Sequence, residues 1–313
     1  MLNKDIITLH TNKVKKYLAI LHARVYNQII KKFKIRKQAF FNMKEKLREY
    51  FLATGIEYFS VLDYASCIET GARIIERASL TPRSVILYLL PYYTTETVNL
   101  SRYAASLDYH LAIRTINEGL ENILKEKFPD SKTKGYGDHS PIDERHAALI
   151  SGLGIAGDNG LIINEKYGSY VFVGDVVTDI PAEQLGAILP MEIIHCEHCG
   201  ACKRACPTGV LRGEGEDCLS AITQKKGTLT KEEERLMQKY NTLWGCDYCQ
   251  SVCPHNKNPK KTPVAFFYEN PIAELTGEIL DSMSDEEFSR RAFAWRKRAT
   301  VSRNIDILNK KQT

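Results

Sequence analysis

The chain has 313 residues, 43% of them hydrophobic and 26% charged, with a net charge of +5 at neutral pH and nine cysteines. That is enough apolar chain for a full core in one large or two modest domains, and it excludes a disordered or low-complexity protein. No apolar run approaches the roughly 18 residues of a membrane-spanning helix and no secretory leader pattern opens the sequence, so the expected location is the cytoplasm, where cysteines are read as metal ligands before disulfides.

Residues 1–42 carry ten Lys or Arg against the single acid Asp5, a local +9 that leaves −4 for the remainder. Val14, Tyr17, Leu18, Leu21 and Val25 have helical spacing, so this arm is expected to be either a phosphate-binding extension or a loosely ordered lead-in, or the product of an upstream start codon.

Met43 opens a fresh amphipathic pattern, with Leu47, Phe51 and Leu52 at helical spacing up to Gly55. Residues 57–63 then predict a strand, and 84–93, "SVILYLLPYY", a buried one. "LDYHLAIRTINEGLENILKEKF" predicts a long amphipathic helix whose apolar side holds Leu111, Ile116, Leu120, Ile123 and Leu124. Strand-like runs follow at 160–164 and 169–179, which makes residues 43–190 an α/β or α+β domain. The cysteine-rich stretch occupies 191–263, and 264–313 is helical in pattern, with a helix start at Ser282 or Ser284 and a basic last helix.

The cysteine stretch carries the most specific signal. Cys196, Cys199, Cys202 and Cys206 form C-x2-C-x2-C-x3-C-P, and Cys246, Cys249 and Cys253 precede Pro254, with Cys218 standing alone between the two runs. Three thiolates on one tight loop cover three corners of an iron–sulfur cubane, and in this motif the cysteine before the proline serves the other cluster. Cys196, Cys199, Cys202 and Cys253 would then hold one [4Fe–4S] cluster, and Cys206, Cys218, Cys246 and Cys249 a second. Zinc also takes C-x2-C pairs, but seldom with a third cysteine at the same spacing before C-P. Only Cys67 is left over, and it is expected to be structural.

Beside these cysteines, the segments "SRYAASLDYH" (101–110), "DHSPIDERHAALISGLGIAGDNGLIINEKYGSYVFVGDVVTDIP" (138–181), "CLSAITQKKGTL" (218–229), "GCDYCQSVCPHNK" (245–257) and, more faintly, "AWRKRATVSRN" (294–304) resemble the epoxyqueuosine reductase family. The resemblance implies an α+β, α/β-like cobalamin-binding domain at 43–190, a ferredoxin-like two-[4Fe–4S] module at 191–263 and a short helical C-terminus. It also implies removal of the epoxide oxygen of epoxyqueuosine in the tRNA anticodon loop, with electrons from an external low-potential donor.

On that resemblance Asp138 takes the place of the family's proton donor, a role that calls for a carboxyl pKa raised by an apolar setting. Taken alone, an Asp before Ser-Pro is a turn or cap residue. Asp108, Tyr109 and His110 match a family D-Y-H, where Asp108 is equally readable as a helix cap. Ile162 and Val173 fall at the corrinoid pocket, Ser220, Asp247 and Tyr248 where the cluster module covers the macrocycle, and Lys225 and Lys226 on a loop that faces tRNA. Arg145 would order the acid or a phosphate, or else pair at the surface with Asp143 or Glu144.

Two departures bear on substrate. Asp158-Asn159 stands where the family has Lys-Asn. The residues after Asn304 are too few for the helical repeats that help family members bind tRNA, which puts the expected tRNA contacts on Arg290, Arg291, Arg296, Lys297, Arg298, Arg303 and the N-terminal arm. The alternatives are a corrinoid iron–sulfur reductase of the same build with a substrate other than tRNA, and an electron carrier.

Overall fold

The computed structural model describes residues 43–310; the helical spacing noted over Val14 to Val25 lies outside them. The centre of the first half is an antiparallel four-stranded sheet of order β1-β2-β6-β3, built from β1 (Phe59–Asp63), β2 (Ser84–Pro91), β3 (Thr133–Tyr136) and β6 (Val171–Thr178). All eight residues of β2 are buried, as its unbroken apolar run requires of a central strand covered on both faces. A two-stranded hairpin, β4 (Ile155–Ala156) with β5 (Ile162–Ile163), stands beside the sheet.

Helix α1 (43–53) and α3 (Tyr109–Lys127) pack on one face, where Leu47, Phe51, Ile116, Leu120 and Tyr88 share one core. Leu111 is only partly buried and Ile113 takes the core position beside Ala112, so the apolar stripe of α3 is rotated slightly from the expected one. The opposite face is covered by α2 (Ala72–Ala78) and α4 (Glu144–Ile150), with Leu87, Leu89, Ile142, Leu149, Ile162 and Val177 in a second core.

The cysteine stretch folds as short helices, Ala201–Ala205, Leu219–Thr223, Lys231–Lys239 and Tyr248–Ser251, linked by turns. After it come Gly277–Ser282, Asp285–Ser289 and Lys297–Asn309, the second opened by a Ser284–Glu287 capping box. Trp244, Phe293 and Val301 pack there against Leu100 and Ala104, so the C-terminal helices close over both halves. No helix among the described residues is long and apolar enough to cross a membrane.

Candidate functional site

Asp138 lies just beyond the edge strand β3, in the loop that leads to α4. Its φ of 67° is the left-handed region, which an L-residue other than Gly enters only when its surroundings impose it. Tyr109 Oη donates to Asp138 Oδ2, and His110 Nε2 lies 3.3 Å from the same oxygen. Behind His110, Asp108 is both the N-cap of α3, accepting from the His110 N–H at 3.0 Å, and the partner of His110 Nδ1 at 2.8 Å. The cap reading of Asp108 therefore holds, and the same carboxylate also orients His110. The Tyr109 ring is stacked on Phe172 of β6, 3.8 Å between centroids, which fixes the phenol under the loop.

The electrostatics invert one expectation. Burial alone would raise the Asp138 carboxyl, but hydrogen bonds from His110 and Tyr109, with the charges of His110 and His139, hold it below its ordinary value. His110 is pushed up to about 10, first by its hydrogen bond to Asp108 and then by Asp138, against the opposing effect of burial. The resting proton of this constellation therefore sits on the imidazole rather than on the carboxyl.

Sequence reasoning missed a second group of carboxyls beside this loop. Asp175 is fully buried and pushed up to about 7 by burial, against a hydrogen bond from Ser140. Glu144 rises to about 8 through burial and the charges of Asp175, Asp138 and Asp143. Asp175 Oδ1, Glu144 Oε2 and Tyr136 Oη are buried without a hydrogen-bond partner. The one signal available was an Asp interrupting the row Val171, Val173, Val177 on one face of β6.

The cysteines fall into two groups. Cys196, Cys199, Cys202 and Cys253 line one pocket together with Asp158, Asn159, His198 and His255. Cys218 lies close enough to Cys246 and Cys249 to add to their rise, and burial is the main cause that pushes both thiols up to about 12. Cys206 is the exception: N–H groups of Leu211, Thr208 and Gly209 and the Thr208 hydroxyl outweigh burial and lower it. Thiols crowded in this way repel one another as anions, a cost that a cationic iron–sulfur core relieves, so the donor set fits such clusters. Cys67 packs beside the second core, with its thiol pushed up to about 12 by burial, then by Asp175 and Asp63.

A polar seam joins the cysteine module to the sheet domain. The Ala156 N–H donates to Ile194 O at 2.8 Å and the Cys196 N–H to Ala156 O at 3.0 Å, so the β4–β5 hairpin pairs directly with the cysteine loop. Asp158 accepts from His198 Nδ1 at 2.7 Å and pairs with Lys203 Nζ at 3.1 Å, so the anion at the family's Lys position has a cationic partner in the cysteine module. Asp247 accepts from Ser101 Oγ at 2.5 Å, the Arg102 N–H at 2.7 Å, Arg102 Nη1 at 3.2 Å and Gln250 Nε2 at 3.1 Å, which leaves it no capacity for a macrocycle. Tyr248 Oη donates to Tyr240 O, and Ser220 Oγ accepts from Gln224.

The remaining expected residues divide. Ile162 and Val173 join the second core, on the sheet face that also carries Tyr136 and Asp175. Arg145 makes neither expected ion pair but donates to Gly160 O at 2.5 Å, bracing the hairpin turn. Lys225 is held by Asp217 and Glu233, each at 2.6 Å, while Lys226 is exposed. Of the basic residues assigned to tRNA, Arg291 bonds Asn270 O, Arg298 bonds Leu280 O, Met283 O and Ser284 O, and Arg303 bonds Lys225 O and Gly227 O, so their charges serve carbonyl groups of the fold.

A family profile described as "4Fe-4S double cluster binding domain" matches residues 195–256. A curated epoxyqueuosine reductase of Listeria monocytogenes is 33% identical over 221 residues, covering 66% of this chain and 56% of the relative. One of Synechocystis sp. is 32% identical over 242 residues, covering 71% of this chain and 81% of the relative. A crystal structure of epoxyqueuosine reductase with an epoxyqueuosine-modified tRNA-Tyr stem loop superposes with a TM-score of 0.70 at 26% identity, covering 86% of this chain and 81% of that one. The chain spans about half the length of the first curated relatives it matches.

Proposed function

The chain belongs to the epoxyqueuosine reductase family, and from that premise we propose that it removes the epoxide oxygen of epoxyqueuosine in tRNA to give queuosine, using two [4Fe–4S] clusters and a cobalamin. The observation that carries this reading is the Asp108–His110–Asp138–Tyr109 constellation, held against a sheet domain that is bonded directly to a double-cluster module. The relative solved with a modified tRNA stem loop supports the substrate class.

Loss of the epoxide oxygen as water consumes two electrons and two protons. When bound, the clusters and corrinoid would supply the electrons, drawn from an external low-potential donor. Cys196, Cys199, Cys202 and Cys253 would hold one cluster, and Cys206, Cys218, Cys246 and Cys249 the other. Val173, partly buried beside the second core, would offer the corrinoid an apolar contact, while Ile162 is buried within that core. Asp247 is better assigned to the seam than to the corrinoid.

The chain's own contribution is the proton. Asp138 presents a carboxylate that is half exposed at the loop, and His110 holds a proton 3.3 Å behind it. Asp108 keeps His110 charged and fixes its ring, so one of the two protons passes from His110 Nε2 to Asp138 Oδ2 and from there to the leaving oxygen, and the other comes from solvent. Tyr109 Oη orients the Asp138 carboxylate and takes no charge itself, its own ionisation being suppressed by burial and by Asp138.

The test is anaerobic reconstitution with iron, sulfide and cobalamin, then reduction in the presence of epoxyqueuosine-containing tRNA with nucleosides read by mass spectrometry. Cobalamin-dependent queuosine supports the reading; bound cobalamin without queuosine moves the substrate elsewhere. The internal use of Lys225, Arg291, Arg298 and Arg303 favours, as the second reading, a reductase of the same build acting on a substrate other than tRNA.

A further inference from the structure

The loop that carries Asp138 crosses the edge of the sheet. On the α3 side Asp138 meets Tyr109 and His110. On the α4 side Ser140, 8% exposed, donates from Oγ to Asp175 Oδ2 at 3.0 Å, and Ile142 enters the second core. Pro141 O accepts from the N–H groups of Thr70 and Gly71, which closes the loop from above. Asp138 itself sits in the left-handed region, which Asp enters more readily than most L-residues, and the anchors on either side select it there.

Asp175 is an unexpected residue for its position. It lies in the middle of β6, paired across to Leu87 of β2 and Tyr136 of β3, on a face otherwise lined by Val173 and Val177. A valine would fit the register. A carboxyl group there is fully buried, has no cationic partner among the described residues, and makes one hydrogen bond, to Ser140. Burying such a group costs several kcal/mol unless it is neutral, and its rise to about 7 is what a neutral, hydrogen-bonding acid requires. Its one hydrogen bond is with the loop, two residues from the reacting carboxylate.

We propose that Asp175 is a positioning residue for the reaction: its buried carboxyl group latches Ser140 and thereby holds Asp138 in the left-handed conformation that meets Tyr109 and His110. The turnover part of this inference rests on the function proposed above; the structural part does not.

The test uses the full cluster-bearing chain with Asp175→Val, Asp175→Asn and Ser140→Ala, followed by hydrogen–deuterium exchange of peptides covering 137–143 and by steady-state turnover. Removing the latch with Val or Ala is expected to speed exchange in 137–143 by about tenfold while α3 peptides stay unchanged, because the opening is local. The same variants should lose about tenfold in kcat with KM within about twofold, since substrate binding is untouched and only alignment is lost. Asn keeps an acceptor for Ser140 at nearly the same volume and should restore both. Wild-type exchange in both the Val and Ala variants overturns the inference, as does an Asn variant impaired as much as Val. If Asp175→Val does not fold, Ser140→Ala decides alone. If the wild type turns over no epoxyqueuosine, the proposed substrate falls while the exchange measurement still settles the latch.

Discussion

A neutral Asp175 makes a prediction about stability that does not depend on catalysis. Its carboxyl is raised from 3.8 to about 7 by complete burial, so the folded state binds its proton more tightly than the unfolded chain does. The favourable contribution is complete below the unfolded value, near 3.8, and is lost as pH climbs through about 7. At about 1.4 kcal/mol for each pH unit, the whole interval is worth about 4 kcal/mol, of which roughly 2 to 3 kcal/mol falls between pH 5 and pH 8. Asp175→Asn has no proton to lose, so it should gain on the wild type by that amount over the same range. For a chain of this size that is about 3 to 5 °C in thermal midpoint. Anaerobic scanning calorimetry of the two cluster-bearing proteins at pH 5 and pH 8 reads the difference, with Glu144→Gln carried in both proteins because the Asp175 charge also raises Glu144. An offset that is the same at both pH values would refute a buried neutral acid. An offset that shrinks towards pH 8 would require a cation beside Asp175.

The other predictions concern the site and its supports. Asp138→Ala should leave cluster content intact and lower turnover by about 100-fold or more, as for loss of a proton-delivering group; unchanged turnover removes Asp138 from the reaction. His110, raised to about 10 chiefly by Asp108, keeps its charge up to about that pH and contributes stability that is complete below its ordinary 6.5 and lost as pH rises through about 10. Asp108→Asn keeps a good N-cap but should move the alkaline limb of the pH–rate profile down by more than about one pH unit; an unmoved limb means the proton does not come from His110. Cys218→Ser should reduce reconstituted iron from about eight to about four atoms per chain, and retention of about eight would return Cys218 to a structural role. Asn304, fully buried and donating to Thr223 O at 2.7 Å and Leu243 O at 2.9 Å, should cost about 1 to 3 kcal/mol on change to Ala, measured as a drop in thermal midpoint.

The sequence disclosed what is written in local patterns. The cysteine spacings, the unbroken apolar run of β2 and the period of α3 each encode a physical need within a few residues, and each appears in the structure. Strand β3, "TKGY", was missed because as an edge strand it has no apolar alternation to show. Arg291, Arg298 and Arg303 look like free surface charges in sequence, since nothing local reveals that a guanidinium will cap carbonyls elsewhere in the chain, and Lys225 gives no sign of its pairing with Asp217 and Glu233. Asp138 was singled out through resemblance, and the raised carboxyl that an acid role calls for is not what its neighbours produce. The groups that set it, Tyr109 and His110, reach it only after the chain has turned back from α3 through β3.

The junction of the two halves combines apolar packing of Trp244 on Leu100 and Ala104 with a hydrogen-bonded seam, and the seam has a specific use under the proposed function. On that proposal electron transfer and proton delivery meet at one place, so the distance from the cysteine module to the Asp138 loop has to stay fixed as charge arrives. An exposed ion pair cannot fix it, being worth at most about 1 kcal/mol. Asp247 at the seam is buried and takes four donors, two of them from Arg102, so withdrawing one partner would strand a buried charge at a cost of about 3 to 5 kcal/mol. Ser169 and Asn256 add two more buried bonds, each 2.8 Å long. An apolar junction of equal area would resist separation but not sliding, because hydrophobic burial is non-directional. Hydrogen bonds to a fixed carboxylate define orientation as well as distance, and that is the property a site fed from two directions requires.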